Sequence, residues 1–402
     1  MKILIVTQYF YPETFKSTDL AFELQRRGHE VTVLTGLPNY PEGKIYTGYG
    51  IFKKRKQKIN GVEIIRSILL PRGKGGGLRL FLNYYSFAFF ASLKAWVLAK
   101  RKRFDAVIVH EPSPITQFYP ALVIKRIQKT PIYFWVMDLW PESLQIAGGV
   151  KNKSILNYYT RLIHKFYSES EKLLITSKGF KRSILEKGNF ENKIEYFPNW
   201  AEESISKGEL NYPIPTLPKG FIVMFAGNVG ESQDLETILE ACKVLKKYDT
   251  IKFVIVGDGR KMPFVLDYIS EHQLQNTVYT VGRFPLEAMA TFFDKADVLL
   301  VSLKDDAIFN LTVPAKVQAY MSAGKPIIAM LNGEGADIIN EADCGFTVPA
   351  SDAESLAKTI IEASMMNSSI LNNKGRNGKV YFENHFTMKS CIDNLERILK
   401  QN

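Results

Sequence analysis

The chain is built from two series of short apolar runs, each run followed by a helical pattern, with a proline-dense break between the series. In the first series, residues 3–6 form a continuous apolar run of the kind a strand covered on both faces requires. A helical pattern follows over 19–27, Gly28 stops it, and residues 31–34 begin a second strand. Residues 106–109, 132–136 and 172–176 repeat the theme. The break falls over 201–219, opened by Glu202, Glu203 and Ser204 and punctuated by Pro213, Pro215 and Pro218. Prolines at that density suit a linker and not the interior of an element. The alternation then restarts at 221–225, 253–256, 278–281, 298–301 and 326–329. Strands alternating with helices signal parallel α/β sheets. At 402 residues the chain also exceeds what one hydrophobic core organises. The expected organisation is an α/β domain over 1–200, a linker over 201–219 and a second α/β domain over 220–375. A C-terminal helical segment over 376–402 can pack on either domain, the first included. Sheets of this kind bind ligands at the carboxyl ends of their strands.

Charge divides the chain at the same break. Residues 1–200 carry 32 basic and 15 acidic side chains, a net of +17, whereas 201–402 carry 20 and 26, a net of −6. The first half therefore attracts an anionic partner: nucleic acid, an anionic membrane or a phosphorylated lipid. With 46% hydrophobic and 23% charged residues, the composition argues against disorder, a collagen-like chain or a coiled coil. Cys242, Cys344 and Cys391 form no close pair, which argues against a disulfide framework or a cysteine-based zinc site and suits a reducing cytoplasm. The five histidines show no metal-ligand spacing. The N-terminus turns aromatic and acidic after a few apolar residues, so it reads as a buried strand and not a signal peptide.

The positive charge is concentrated. Nineteen basic and six acidic residues precede position 104. Lys53, Lys54 and Arg55 open a run that continues to Lys58, and Arg72, Lys74 and Arg79 surround Gly75, Gly76 and Gly77. Residues 80–99 are apolar and aromatic, with Tyr84, Tyr85 and Trp96 among them, and Lys100, Arg101, Lys102 and Arg103 close the segment. The pattern is that of a helix lying in a membrane surface, its amphipathic rings at the interface and its flanking cations on anionic head groups. A buried core helix between solvated loops is the alternative; nucleic-acid binding has no recognition motif behind it. No run of about 18 apolar residues is long enough for a membrane span.

In the second half, glycine turns close three strands: Gly227, Asn228 and Gly230; Gly257, Asp258 and Gly259; and Gly282, Arg283 and Phe284. Glycine lets backbone N–H groups approach a phosphate, and a helix N-terminus just beyond favours an anion. The second turn lacks the third glycine of the dinucleotide fingerprint, which argues against a nicotinamide enzyme. Residues 312–326 then read as a loop with Thr312, a helix starting near Pro314, a stop at Gly324 and a new strand. Lys316 and Gln318 fall in the first turn of that helix. There a lysine can pair with a diphosphate, and Gln318 can hydrogen-bond sugar hydroxyls.

Together these segments resemble family 4 glycosyltransferases of the GT-B fold, over nearly the whole chain. The resemblance rests on residues 27–31, on Phe197, Pro198 and Asn199, on the glycine turns and, most specifically, on 314–326. Residues 40–46 and 137–143 are similar to enzymes of O-antigen and capsule assembly, N-acetyl-L-fucosaminyltransferases in particular. The resemblance implies two Rossmann-like domains, a UDP-sugar donor, a polyprenyl-diphosphate-linked sugar as acceptor, retention of configuration and a place on the inner face of the membrane. It also exposes departures. The wider family's two glutamates are Asn310 and Gln318 here, and the cations that follow its first glycine turn are missing, so Lys304 or Lys316 must supply that charge. The family's Gly-Gly in the first N-terminal loop is replaced by residues 14–19.

Glycosyl transfer breaks the bond from C1 to the diphosphate, so the leaving group must be stabilised and the acceptor hydroxyl positioned. The leaving-group role falls to the Gly227 turn, Lys304 and Lys316. No Asp-x-Asp stands at a strand end, so no metal is expected, and no cofactor beyond the UDP-sugar substrate. Asp138, directly after the strand 132–136, is the first candidate for a carboxylate facing the sugar or acceptor; Glu142 is close by, and Glu13 is the second candidate. A UDP-sugar epimerase or hydrolase, or a basic membrane-binding protein without activity, are the rival readings.

Overall fold

A computed structural model describes residues 1–74, 76–146, 149–201, 211–307 and 309–401. Gly75 and the linker opening at Glu202, Glu203 and Ser204 lie outside the described residues. The chain forms two compact units, Met1–Asn199 with Ile392–Asn402, and Trp200–Cys391.

The first unit contains β1 (Lys2–Val6), β2 (Glu30–Thr35), β3 (Lys56–Ile59), β4 (Val62–Arg66), β5 (Ala106–Glu111), β6 (Ile132–Val136), β7 (Lys172–Ile175) and β8 (Ile194–Tyr196). They form one sheet in the order β3-β4-β2-β1-β5-β6-β7-β8. Every pairing is parallel except that of β3 with β4. Strand order reverses between β1 and β5, the place where open α/β sheets leave a crevice. All of β5 and β6 is buried, as the apolar runs 106–109 and 132–136 anticipate, and the burial extends to His110 and Glu111.

The basic run 53–58 leads into the hairpin of β3 and β4, which its composition did not announce. Lys56 and Lys58 stand on an edge strand, where exposed lysines deter pairing with other chains. Asn60 and Gly61 turn the chain at positive φ, 48° and 85°, as a tight hairpin requires.

The helix Gly77–Arg101 buries Phe87, Ala91, Ala95 and Ala99, one stripe at four-residue spacing. Small side chains on that stripe let it lie close against the helix Tyr119–Gln128. Other large side chains point outward: Leu78 is 75% exposed, Phe89 61% and Leu93 53%. The expected alternative of a buried core helix therefore does not hold. Among the described residues no helix is long and apolar enough to cross a membrane.

The last turns of the helix Met388–Lys400 belong to the first unit. Arg27 donates to Asp393 at 2.6 Å and to Glu396 at 3.3 Å, His29 Nε2 lies 2.8 Å from Glu396, and Asn394 donates to the Tyr196 carbonyl. Residues 27–29 thus act as a dock for the C-terminal segment.

The second unit contains β9 (Phe221–Ala226), β10 (Ile251–Val256), β11 (Val278–Gly282), β12 (Val298–Ser302), β13 (Ile327–Met330) and β14 (Gly345–Val348). They run parallel in the order β11-β10-β9-β12-β13-β14. Alternate residues serve opposite cores: Val223 and Phe225 join one cluster, Met224 and Ala226 the other. That two-sided burial is why the strands read as unbroken apolar runs. The order reverses between β9 and β12, so the turn after β9 opens at the switch point.

Leu395 is fully buried, as are Ile392 and Ile398. Leu395→Ala should lower the stability of the first unit by about 2–5 kcal/mol, read by urea denaturation.

Candidate functional site

Parallel pairing of β9, β10 and β11 brings the three glycine turns into one row. Gly227 N–H donates to the Val256 carbonyl and Gly257 N–H to the Gly282 carbonyl, each at 2.8 Å. Val229 N–H donates to Asp258 and Lys261 N–H to Val229, which ties the first two turns together. Only glycine fits at this contact. A Cβ on Gly257, at φ +143°, would stand 1.9 Å from the Gly227 carbonyl oxygen. Gly227, Asn228, Gly257, Gly259, Arg283 and Phe284 line a cavity of about 400 Å³ at these strand ends. Asp258, Val256 and Met289 complete its wall; of these Met289 carried no signal in the sequence. Phe284 is held edge-on by Phe292, with ring centres 4.9 Å apart.

Lys316 comes to the first turn from another element. The helix Ala315–Ala323 has Pro314 as its N-cap and ends at Gly324, φ +68°. From its first turn Lys316 reaches Gly227 so closely that a Cβ there would meet Lys316 Cε at 2.7 Å. Its ammonium donates to Gln233 Oε1 at 2.6 Å and lies 3.7 Å from the Phe225 ring centre. Among the described residues no carboxylate pairs with it, and burial lowers its pKa to about 7. A cation in this position is poised to gain from an arriving anion. Gln233 and Phe225, the two groups that hold it, carried no signal in the sequence.

Lys304 is placed differently. It pairs with Glu231 at 2.5 Å, and Glu231 also takes Lys261 at 2.9 Å, so its charge is already compensated. Thr312 closes a local turn by donating to the Phe309 carbonyl at 3.2 Å. Gln318 is only 7% exposed.

In the first unit the three candidate carboxylates prove to be of different kinds. Glu13 is buried, and both its oxygens accept backbone N–H groups: Asn39 at 2.8 Å, Tyr40 at 2.7 Å and Phe10 at 3.1 Å. Burial raises its pKa to about 7 against those bonds. It fastens two loops together. Glu142 accepts from Lys187 at 2.5 Å and Ser183 at 2.7 Å. Burial pushes its carboxyl upward, but the Lys187 ammonium and these bonds outweigh that and hold it low. Asp138 lies just past β6 and accepts a hydroxyl bond from Ser143; burial, then the Glu142 charge, raise its pKa. Glu111 ends β5 fully buried, and its carboxyl is raised well above the usual range, by burial first and then by the Asp138 charge. In the sequence Glu111 falls two residues past the apolar run 106–109 and carried no signal.

The remaining basic and aromatic candidates separate into two groups. Tyr84 and Tyr85 are half-buried, with Tyr85 Oη 3.4 Å from Tyr159 Oη, so they face the unit and not its apolar surface. Trp96 is 50% exposed, with the Lys100 ammonium 3.6 Å above its ring. Lys102 is spent on Glu30 at 2.7 Å and Glu63 at 3.3 Å. Arg55 and Arg79 donate to backbone carbonyls, while Lys53, Lys54, Arg101 and Arg103 are exposed.

A family model described as glycosyl transferases group 1 matches residues 220–365, and one described as a glycosyl transferase 4-like domain matches 17–200. The chain is 32% identical over 254 residues to the probable glycosyltransferase WbjE of Pseudomonas aeruginosa, covering 59% of this chain and 61% of that relative's length. It is 24% identical over 344 residues to the putative colanic acid biosynthesis glycosyl transferase WcaI of Escherichia coli, covering 81% and 82%. Anabaena HepE, solved in complex with UDP, has the same fold at a TM-score of 0.66 and 12% identity over the full length of both chains. The GT-B arrangement of parallel α/β sheets expected from the resemblance is the one found.

Gly257→Ala should remove more than about 2 kcal/mol of stability from the second unit, read by chemical denaturation, because both its φ and the Gly227 carbonyl forbid a side chain.

Proposed function

The chain belongs to the group 1 glycosyltransferases, and from there we propose that it moves an N-acetylated deoxyhexose from a UDP-sugar to a sugar carried on undecaprenyl diphosphate. N-acetyl-L-fucosamine is the first candidate for the transferred sugar, and capsule or O-antigen assembly for the setting. Relatives support this reading: WcaI is a putative colanic acid biosynthesis glycosyl transferase, and HepE was solved in complex with UDP.

The observation that carries the proposal is the Lys316 ammonium over the Gly227 turn, without a carboxylate partner among the described residues. When the bond from C1 to the diphosphate breaks, its electron pair leaves on the UDP oxygen. An ammonium beside a glycine turn is suited to that growing charge, at about 1.5–3 kcal/mol for a charged hydrogen bond. Arg283 and the second and third turns line the same cavity, and we assign the remainder of the nucleotide to them. Lys304 stays in reserve behind Glu231. We assign no step to a metal, since no Asp-x-Asp stands at a strand end. Retention of configuration follows from the family resemblance.

The acceptor hydroxyl gives its oxygen to C1 and loses a proton. Asp138 is our candidate to face it, because burial has raised its affinity for a proton. Glu142 and Glu13 serve as positioning residues in this scheme. Attachment to the inner face of the membrane is assigned to the helix Gly77–Arg101, through Leu78, Phe81, Phe89, Leu93 and Trp96.

The test is to incubate the protein with single UDP-sugars and a polyprenyl-diphosphate-linked sugar, reading both products by mass spectrometry. We expect the lipid to gain one sugar residue as UDP appears in equal amount. Release of UDP at the same rate without lipid would instead make the protein a hydrolase.

A further inference from the structure

The first unit has a second cavity, of about 880 Å³, that the proposed transfer does not use. It lies between the second half of the helix Gly77–Arg101 and the strands β3 and β4. Lys2 begins β1, Glu30 begins β2, and Lys102 and Arg103 lie shortly before β5, and all of them line it. The cavity therefore runs along one flank of the sheet, from the amino ends of β1 and β2 to Arg55 and Lys56, which lie beside Ile65 and Arg66 at the carboxyl end of β4.

Its charges do not cancel. Seven basic and two acidic side chains line it. Glu63 is engaged by Lys56 at 2.8 Å and Lys102 at 3.3 Å, and Glu30 by Lys102 at 2.7 Å and Lys2 at 4.0 Å. Those pairs account for both carboxylates and three of the lysines. Arg55, Lys94, Arg101 and Arg103 remain with no carboxylate partner among the described residues. Lys94 is partly buried, and its pKa is lowered, by burial first and then by Arg55. The wall that these cations share is apolar. Leu93 and Val97 line it, 53% and 39% exposed, and Trp96 stands beside them on the same helix.

We propose that this cavity binds the phosphodiester headgroup of an anionic membrane phospholipid. Cations without counter-charges meet the phosphate, and Leu93 and Val97 lead outward along the apolar face toward the acyl chains. A soluble phosphate compound has no use for that apolar face, which is why the occupant is a lipid. The inference rests on the membrane attachment proposed above and adds to it a localised site with a preference for charge. A surface that attracted lipid by net charge alone would need no cavity and no particular arginine.

The experiment is co-sedimentation with vesicles of phosphatidylcholine, with and without phosphatidylglycerol, at fixed ionic strength. Lys94→Gln/Arg101→Gln should weaken binding to the phosphatidylglycerol vesicles by roughly thirty-fold. Lys129→Gln/Lys165→Gln removes the same charge from exposed positions elsewhere on the unit and should weaken it by less than about threefold. Lys94→Arg/Arg101→Lys should restore binding, and an unchanged melting transition shows each variant to be folded. Equal losses in the two glutamine variants would overturn the site while leaving membrane attachment standing. Failure of the unaltered protein to bind either vesicle would overturn the attachment and the site together.

Discussion

Everything proposed for the second unit depends on how closely the turn after β10 approaches the turn after β9. The parallel ladder fixes the register of the strands, and the missing Cβ of Gly257 lets its backbone lie against the Gly227 carbonyl. With the two turns nested, β11 adds Gly282 at the next position, and one cavity opens across three strand ends. Gly227, Gly257 and Gly259 put no side chain on that wall, so a ligand can come close to its backbone.

The same closeness would let an acidic unit take the proposed anion. Lys316 reaches the Gly227 turn only because no side chain occupies that space. Held against Phe225 and Gln233 and partly shielded from water, its ammonium is more weakly solvated than a surface lysine. One such cation outweighs the diffuse negative charge of the unit at this point, since screened charges further away count for little. The first unit uses its basic residues in another way. Several are structural, as with Lys102 between Glu30 and Glu63, and the unpaired ones gather around an apolar helix face.

Much of this was legible in the sequence. Strands covered on both faces announce themselves as continuous apolar runs, and β1, β2, β5, β6, β7 and β9 to β13 were all readable that way. Three of the four edge strands, β3, β8 and β14, were not, and neither was β4. In β3, Lys56 and Lys58 hid the alternation, and the Asn60–Gly61 turn was the cue that could have revealed it. β8 and β14 span 3 and 4 residues, too short to show a period. At the site, the glycine turns and Lys316 could be read because their residue types are constrained. Glu111 could not, because a carboxylate at the end of a buried strand looks the same in sequence as one in solvent. The roles of Glu13 and Glu142 were obscured for a related reason: their partners, Asn39, Tyr40, Ser183 and Lys187, lie 26 to 45 positions away.

The central claim is that Lys316 carries the charge that meets the diphosphate. Calorimetric titration of UDP into the protein and into Lys316→Met, between about pH 6 and about pH 8.5, tests it directly. The free ammonium titrates at about 7 and the bound anion favours its charged form. Affinity in the unaltered protein should therefore be highest below pH 7 and fall as pH rises through that value. The variant should bind at least tenfold more weakly at low pH, by about 1.4 kcal/mol or more. It should retain only the pH dependence of the nucleotide itself. Equal affinity and an identical pH profile in the two proteins would contradict the account.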